Sequence, residues 1–171
     1  MALTQLANTA IDRLARDPAP AIEELLAYAA TDLLCYRAEA PANLVERQQA
    51  QWQPLLDWLA RRHGARLSVQ SGVIPRDQPE AALSALGRYL ARQPAFRLAG
   101  LVATAQTCGS LVIALALADR QVGPDEAFEA AELDATFQIE RWGEDEEAAA
   151  RRQRLRHDIR EIHRFLALLD G

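Results

Sequence analysis

Three stretches of this 171-residue sequence carry residue types that could do chemistry. The first, His157-Asp-Ile-Arg-Glu161-Ile-His163, offers metal ligands. A helix puts His157 and Glu161 on one face, four residues apart, but His163 comes two residues later and points elsewhere. Helical zinc sites need two histidines four apart with a glutamate between them, which this stretch lacks. A solvated polar face accounts for it, and no metal is expected. The second, Cys108-Gly109-Ser110, offers a nucleophile, but no histidine lies near it in the sequence and no Gly-x-Ser-x-Gly elbow surrounds it. Small residues there read instead as room for a close helix crossing. The third is Phe137-Gln-Ile-Glu-Arg-Trp142-Gly143 followed by Glu144, Asp145, Glu146 and Glu147. Gly143 fits a helix C-terminus, and acids are favoured in the first turn of the next helix, so this reads as one helix handing over to another. With no glycine-rich phosphate loop either, nothing assembles into a catalytic set. The chain is expected to be no enzyme, with no cofactor and no small-molecule substrate.

The elements that would position these residues are almost all helical. Leu3, Leu6, Ala10, Ile11 and Leu14 predict a helix over 3–15, broken at Asp17-Pro18. Ile22, Leu25, Leu26, Ala29, Leu33 and Tyr36 predict a second that ends before Pro41. Asn43, with Glu46 three residues on, reads as the N-cap of a third, which meets Pro54 and ends at Gly64. Residues 66–74 alternate and allow at most one short extended excursion. Asp77-Gln-Pro79 opens a helix through Leu90. Residues 98–118 carry no charge and predict one long apolar helix at the centre of the domain, with a middle too polar and small for membrane insertion. A helix from about Asp125 to Trp142 and another over 145–169 complete a compact all-α domain covering 1–171.

Composition agrees with a globular protein: half the residues are hydrophobic and a quarter charged. A net charge of -5 argues against nucleic-acid binding, and all 19 basic side chains are arginine, as in GC-rich bacterial coding. Cys35 and Cys108, far apart in apolar patterns, read as buried thiols in a reducing bacterial cytoplasm. The acid-containing N-terminus is no secretory signal.

The last two helices carry the surface features. On the final one, Arg152, Arg156, Arg160 and Arg164 form a ladder at four-residue spacing beside an apolar stripe. Like charges so placed repel, and Glu147 to Arg151, Arg154 to Asp158 and Glu161 to Arg164 are the expected local compensations. The ladder also gives an alternative function, a helical adaptor docking an acidic protein partner. The helix before it has two apolar sides: Phe128, Ala131, Ala135, Ile139 and Trp142 on one, Ala130, Leu133 and Phe137 opposite. Asp134 and Gln138 share a flank between them, and Glu132 sits beside the first side. Such a helix is either sandwiched in the core or packs inward on one side while offering the other to a partner.

Phe137-Gln138-Ile-Glu-Arg-Trp142-Gly143-Glu-Asp145 resembles the Q-x-x-x-W-G element of the ATP synthase alpha-subunit assembly chaperones, the ATP-twelve family. Asp32-Leu33 with Tyr36-Arg37, Trp52-Gln53-Pro54-Leu55-Leu56-Asp57-Trp58 with Gly64, Gly109-Ser110-Leu111-Val112, and Leu3-Thr4 through Asn8-Thr9-Ala10-Ile11-Asp12 resemble further segments of that family, in order along the chain. The resemblance implies a chaperone that binds the unassembled alpha subunit and shields its interface until beta replaces it, without nucleotide or metal. It also implies a partner surface of Asp134, Glu132, Gln138, Phe137, Trp142, Glu144 and Asp145. The acid before the Q-x-x-x-W-G element matches Asp134 best, with Glu132 next. Family members carry a β-rich domain ahead of the helical one, which this sequence does not show; it reads as the helical C-terminal domain alone.

Overall fold

In the computed structural model, which describes residues 3–171, the described residues form nine α-helices, two of which, consecutive and apolar, lie at the centre of the core. α1 (Leu3–Thr9) does not continue as α-helix to residue 15 but widens into a π turn over Ala10–Leu14, closed by Ala15 N–H donating to Ala10 O at 2.9 Å. A wider turn brings residues four apart more nearly into line, and Leu6, Ala10 and Leu14 all reach the core. α2 (Ala19–Ala30), with Pro20 in its first turn, stops well short of Pro41. Asp32 turns its side chain inward, Leu33–Cys35 make a 3₁₀ turn, and β1 (Tyr36–Arg37) follows, so Leu33 and Tyr36 lie outside the helix expected to hold them.

α3 (Ala42–His63) starts one residue before Asn43, which is therefore not its cap; Pro41 O receives the Leu44 and Val45 N–H groups instead. The helix carries Pro54 in its interior and ends at Gly64, whose φ of 66° lies in the left-handed region. β2 (Gln70–Ser71) is the expected extended excursion; β1 is its partner, in parallel register with Tyr36 opposite Gln70 and Arg37 opposite Ser71. α4 (Glu80–Ala91) follows.

The long apolar segment is two helices. α5 (Ala95–Cys108) ends at Gly109 with φ 70°, and Ser110 caps α6 (Leu111–Ala118) by accepting Ile113 N–H at 3.0 Å. All eight residues of α6 are buried. Among the described residues no helix is long and apolar enough to cross a membrane. Gly109 thus serves a turn; a Cβ there would meet nothing within 4 Å. The close crossing lies at Gly100, where a Cβ would stand 2.5 Å from Leu166 Cδ2 and 2.9 Å from its Cγ. Gly100→Ala therefore loses about 1–2 kcal/mol of stability in urea unfolding, although alanine is the better helix former. Leu166→Ala in the same chain should recover part of that loss. A Gly100→Ala protein as stable as the parent would show that α5 and α9 do not touch there.

α7 (Pro124–Ala131) and α8 (Leu133–Trp142) replace the single helix expected before Trp142, with the bend at Glu132. α9 (Glu146–Leu169) starts where the acidic run predicts, with Asp145 accepting Ala148 N–H at 2.7 Å. α5 and α6 pack on each other and take α2, α3, α7 and α9 around them. Cys35 and Cys108 are buried and free, and burial pushes both thiols up to about 12, so they pack rather than react.

Candidate functional site

The two apolar sides of the 124–142 segment meet different fates. Ala130, Leu133 and Phe137 face the core and are buried. On the other side Phe128 is buried beneath the guanidinium groups of Arg152 and Arg156, 5.1 and 4.2 Å from its ring centre. Further along, Ala131, Ala135 and Ile139 are half-buried, and Trp142 is 81 % exposed. The stripe starts in the core and runs out into solvent at an indole. Phe137 is covered, with Arg47 and Arg141 each 5.4 Å from its ring centre, so it supports this face from beneath.

The two candidate acids are not equivalent. Glu132, at the bend, is buried, and its carboxylate accepts from Arg151 at 2.7 and 3.2 Å and from Arg152 at 2.9 Å. Arg152 also donates to Thr136 Oγ1 at 3.0 Å and reaches Glu144 at 3.2 Å. Glu132 thereby ties the α7–α8 bend to α9. Asp134 lies at the surface and accepts from Gln48 Nε2 at 2.7 Å, while Gln48, itself buried, accepts Ala38 N–H at 2.8 Å through Oε1. Gln138 is exposed beside Asp134, Arg47 pairs with Glu140 at 2.8 Å, and Asp145 is occupied as the α9 cap. The face thus combines a protruding indole, half-buried alkyl groups and an acidic flank.

The arginine ladder is used within the chain. Arg152 is committed as above, Arg156 and Arg160 reach Asp125 at 3.6 and 2.9 Å, and Arg164 pairs with Glu161 at 2.9 Å. Of the expected local pairs, Glu161 with Arg164 forms, whereas Arg151 turns to Glu132 rather than Glu147. His157 is exposed and Glu161 faces Arg164; among the described residues no group of three His, Cys, Asp or Glu side chains could hold a metal ion.

Two polar centres escaped sequence reasoning. Asp32 is fully buried and accepts from Ser110 Oγ at 2.7 Å, Val112 N–H at 3.1 Å and Leu34 N–H at 3.2 Å, which holds the start of α6. Burial raises its pKa to about 6 against these hydrogen bonds. His63 Nε2 lies 3.0 Å from Asp119 Oδ2, and Arg97 bonds Asp119 and Tyr89, joining α3, α4, α5 and the end of α6. Burial pushes the Asp119 carboxyl up, but its bonds to His63 and Arg97 outweigh that and hold it below the ordinary value. A lone acid in the apolar stretch Thr31-Asp32-Leu-Leu-Cys35 was the available signal for the first centre, and a histidine just before the terminating Gly64 for the second.

Residues 1–60 match the model of a family described as ATP12 chaperone protein. Atp12 from Paracoccus denitrificans is 37 % identical in sequence and superposes with a TM-score of 0.91 over 96 % of this chain and 71 % of its own. The Atu1473 protein from Agrobacterium tumefaciens is 40 % identical, with a TM-score of 0.88 over 96 % of this chain and 62 % of its own. Mitochondrial atp12 of Schizosaccharomyces pombe is 24 % identical over 131 residues. The chain spans 45 % of the length of that curated relative.

Proposed function

The chain belongs to the ATP12 chaperone family, and from that membership we propose that it is an assembly chaperone of the ATP synthase catalytic sector. It binds the free alpha subunit, keeps the subunit's contact surface from aggregating, and yields it to beta. Residues 1–171 act as one helical unit in a bacterial cytoplasm, with protein binding and not catalysis as the activity.

The observation that carries this reading is Trp142, a large aromatic 81 % exposed at the end of a half-buried apolar stripe. Large exposed aromatics beside a charged flank are typical of interface anchors, and an unassembled subunit presents the complementary apolar area. Asp134, Gln138 and Glu144 supply acceptors around the anchor, with Phe137, Glu132 and Asp145 beneath and beside it. Exchange for beta requires the chaperone contact to be the weaker of the two. The arginine-ladder adaptor has less support, since each of its four arginines already faces an acid of this chain.

The test is co-expression with the alpha subunit of the same organism, followed by size exclusion. Soluble alpha should co-elute with the chain and aggregate without it. Alpha that aggregates equally in both cases would refute the reading.

A further inference from the structure

Gln48 is 2 % exposed, and both ends of its amide are spent. Oε1 accepts Ala38 N–H at 2.8 Å, and Nε2 donates to Asp134 Oδ1 at 2.7 Å. A backbone N–H only donates and a carboxylate only accepts, so a single orientation of the amide serves both. An ionised Glu in its place would offer no donor, and a Lys or Arg no acceptor. One turn on, Trp52 Nε1 donates to Ala130 O at 2.9 Å. These two bonds, four residues apart on α3 and four apart across the α7–α8 bend, fix the start of α8 against α3. Glu132 ties the same bend to α9 on its other side.

The neutrality of Gln48 has a consequence for Asp134. A base at that position would hold the carboxylate and cancel its charge, whereas an amide holds it and leaves the charge whole. Among the described residues no basic side chain pairs with Asp134. Arg47, the base next to Gln48 in the chain, reaches Glu140 at 2.8 Å instead and lies over the Phe137 ring. The groove that continues the seam between α3 and α7 is lined by Gln51, Pro54, Glu126 and Glu129, among others, and by no basic side chain. Negative charge therefore stands along this seam without a counter-charge from the chain itself.

We propose that Gln48 is a positioning residue that presents the Asp134 carboxylate, still fully charged, to a guanidinium or ammonium group of the alpha subunit. One carboxylate oxygen is held by the buried amide, and the other is left for the client. An acceptor already fixed in place pays less ordering cost when the client's donor arrives. Gln48 does not touch the client and acts only through Asp134.

This inference rests on the alpha subunit being the client, and the experiment separates the two. Denatured alpha is diluted into graded concentrations of the whole chain, and the concentration that keeps half of it soluble is read, with a thermal melt of each variant. Asp134→Asn keeps an acceptor for Gln48 but not the charge, and Asp134→Glu keeps the charge but displaces it from Gln48 Nε2 by a methylene. Each should raise the half-maximal concentration about tenfold, the loss expected for one charge-assisted hydrogen bond. Gln48→Glu keeps the acceptor for Ala38 N–H and removes the donor to Asp134. It should cost about tenfold in the parent but no more than about twofold once Asp134→Asn is present, because the two act as one unit. If Gln48→Glu does not fold, Asp134→Glu, a surface change, decides alone. Asp134→Glu that captures alpha as the parent does overturns the positioning role and leaves the chaperone reading standing. So does an equal loss from Gln48→Glu with and without Asp134→Asn, since Gln48 would then act on the fold and not through Asp134. Asp134→Asn that captures as the parent does overturns the cationic contact. Alpha that aggregates at every concentration of the parent chain overturns both readings.

Discussion

Asp32→Ala lowers the unfolding free energy by about 3–5 kcal/mol, a large share of the stability of a domain this size. The substitution removes one side chain but strands three donors: the Ser110 hydroxyl, Val112 N–H and Leu34 N–H, all in buried surroundings. α6 has no exposed face by which water could replace them. Asp32→Asn removes the titration and also turns one of the two acceptor oxygens into a donor, so it serves as the reference for the pH dependence and not for the absolute stability. The wild-type carboxyl has an ordinary pKa of 3.8 and a folded value of about 6, so between those values the folded state holds the proton more readily than the unfolded chain. Its contribution is fully present below about pH 4 and is lost as pH rises through 6, a swing of about 3 kcal/mol. Urea unfolding of both proteins from pH 4 to 7 should show the wild type losing ground to Asp32→Asn by that amount. A gap that does not change with pH would mean that Asp32 titrates as an ordinary exposed acid.

What could be read from the sequence is what neighbours in the chain decide. Gly143 before four acids gave the start of α9, because the left-handed glycine and the acid-favouring helix N-terminus are local rules. Gly109-Ser110 obeys the same grammar, a left-handed C-terminal residue followed by an N-cap, yet the uninterrupted apolar run on either side masked it. Burial was the dominant signal there, and it is the same for one helix or two. The early end of α2 is a different kind of miss. Leu33 and Tyr36 keep helical spacing, but the chain leaves the helix because Asp32 serves donors 78 and 80 residues away. No local pattern contains those partners.

The α8 face was legible to the same depth. Its two apolar sides followed from helical spacing, but which side faces solvent depends on where α9 turns after Gly143. Likewise, Asp134 and Glu132 precede Gln138 at nearly equal distance in the sequence. Only the return of α9, bringing Arg151 and Arg152 to Glu132, separates them into a structural clamp and a surface acid. The ladder shows the same dependence, since its acids come from the α7–α8 segment as well as from its own helix.

That separation gives the second large effect. Trp142→Ala should leave stability within about 0.5 kcal/mol of the parent, since the side chain is 81 % exposed and its backbone helix ends there in any case. If the proposed function holds, capture of the alpha subunit falls by about 30-fold or more, as for an aromatic anchor contributing about 2 kcal/mol or more at an interface. Glu132→Ala should do the reverse at first reading. It leaves two arginines without their shared acid at a buried bend, costing about 2 kcal/mol after discounting for the half-exposed Arg151, and lowers capture only as far as the folded fraction falls. Measuring melting and alpha co-elution on the same preparations keeps the two causes apart. Equal capture by Trp142→Ala and the parent would move the client surface off α8. A Glu132→Ala protein that stays fully folded but loses alpha would make the clamp acid the contact residue after all. In either case the assignment turns on how an exposed indole and a buried carboxylate respond to the same truncation: one changes what the molecule touches, the other whether α8 is held in place to touch it.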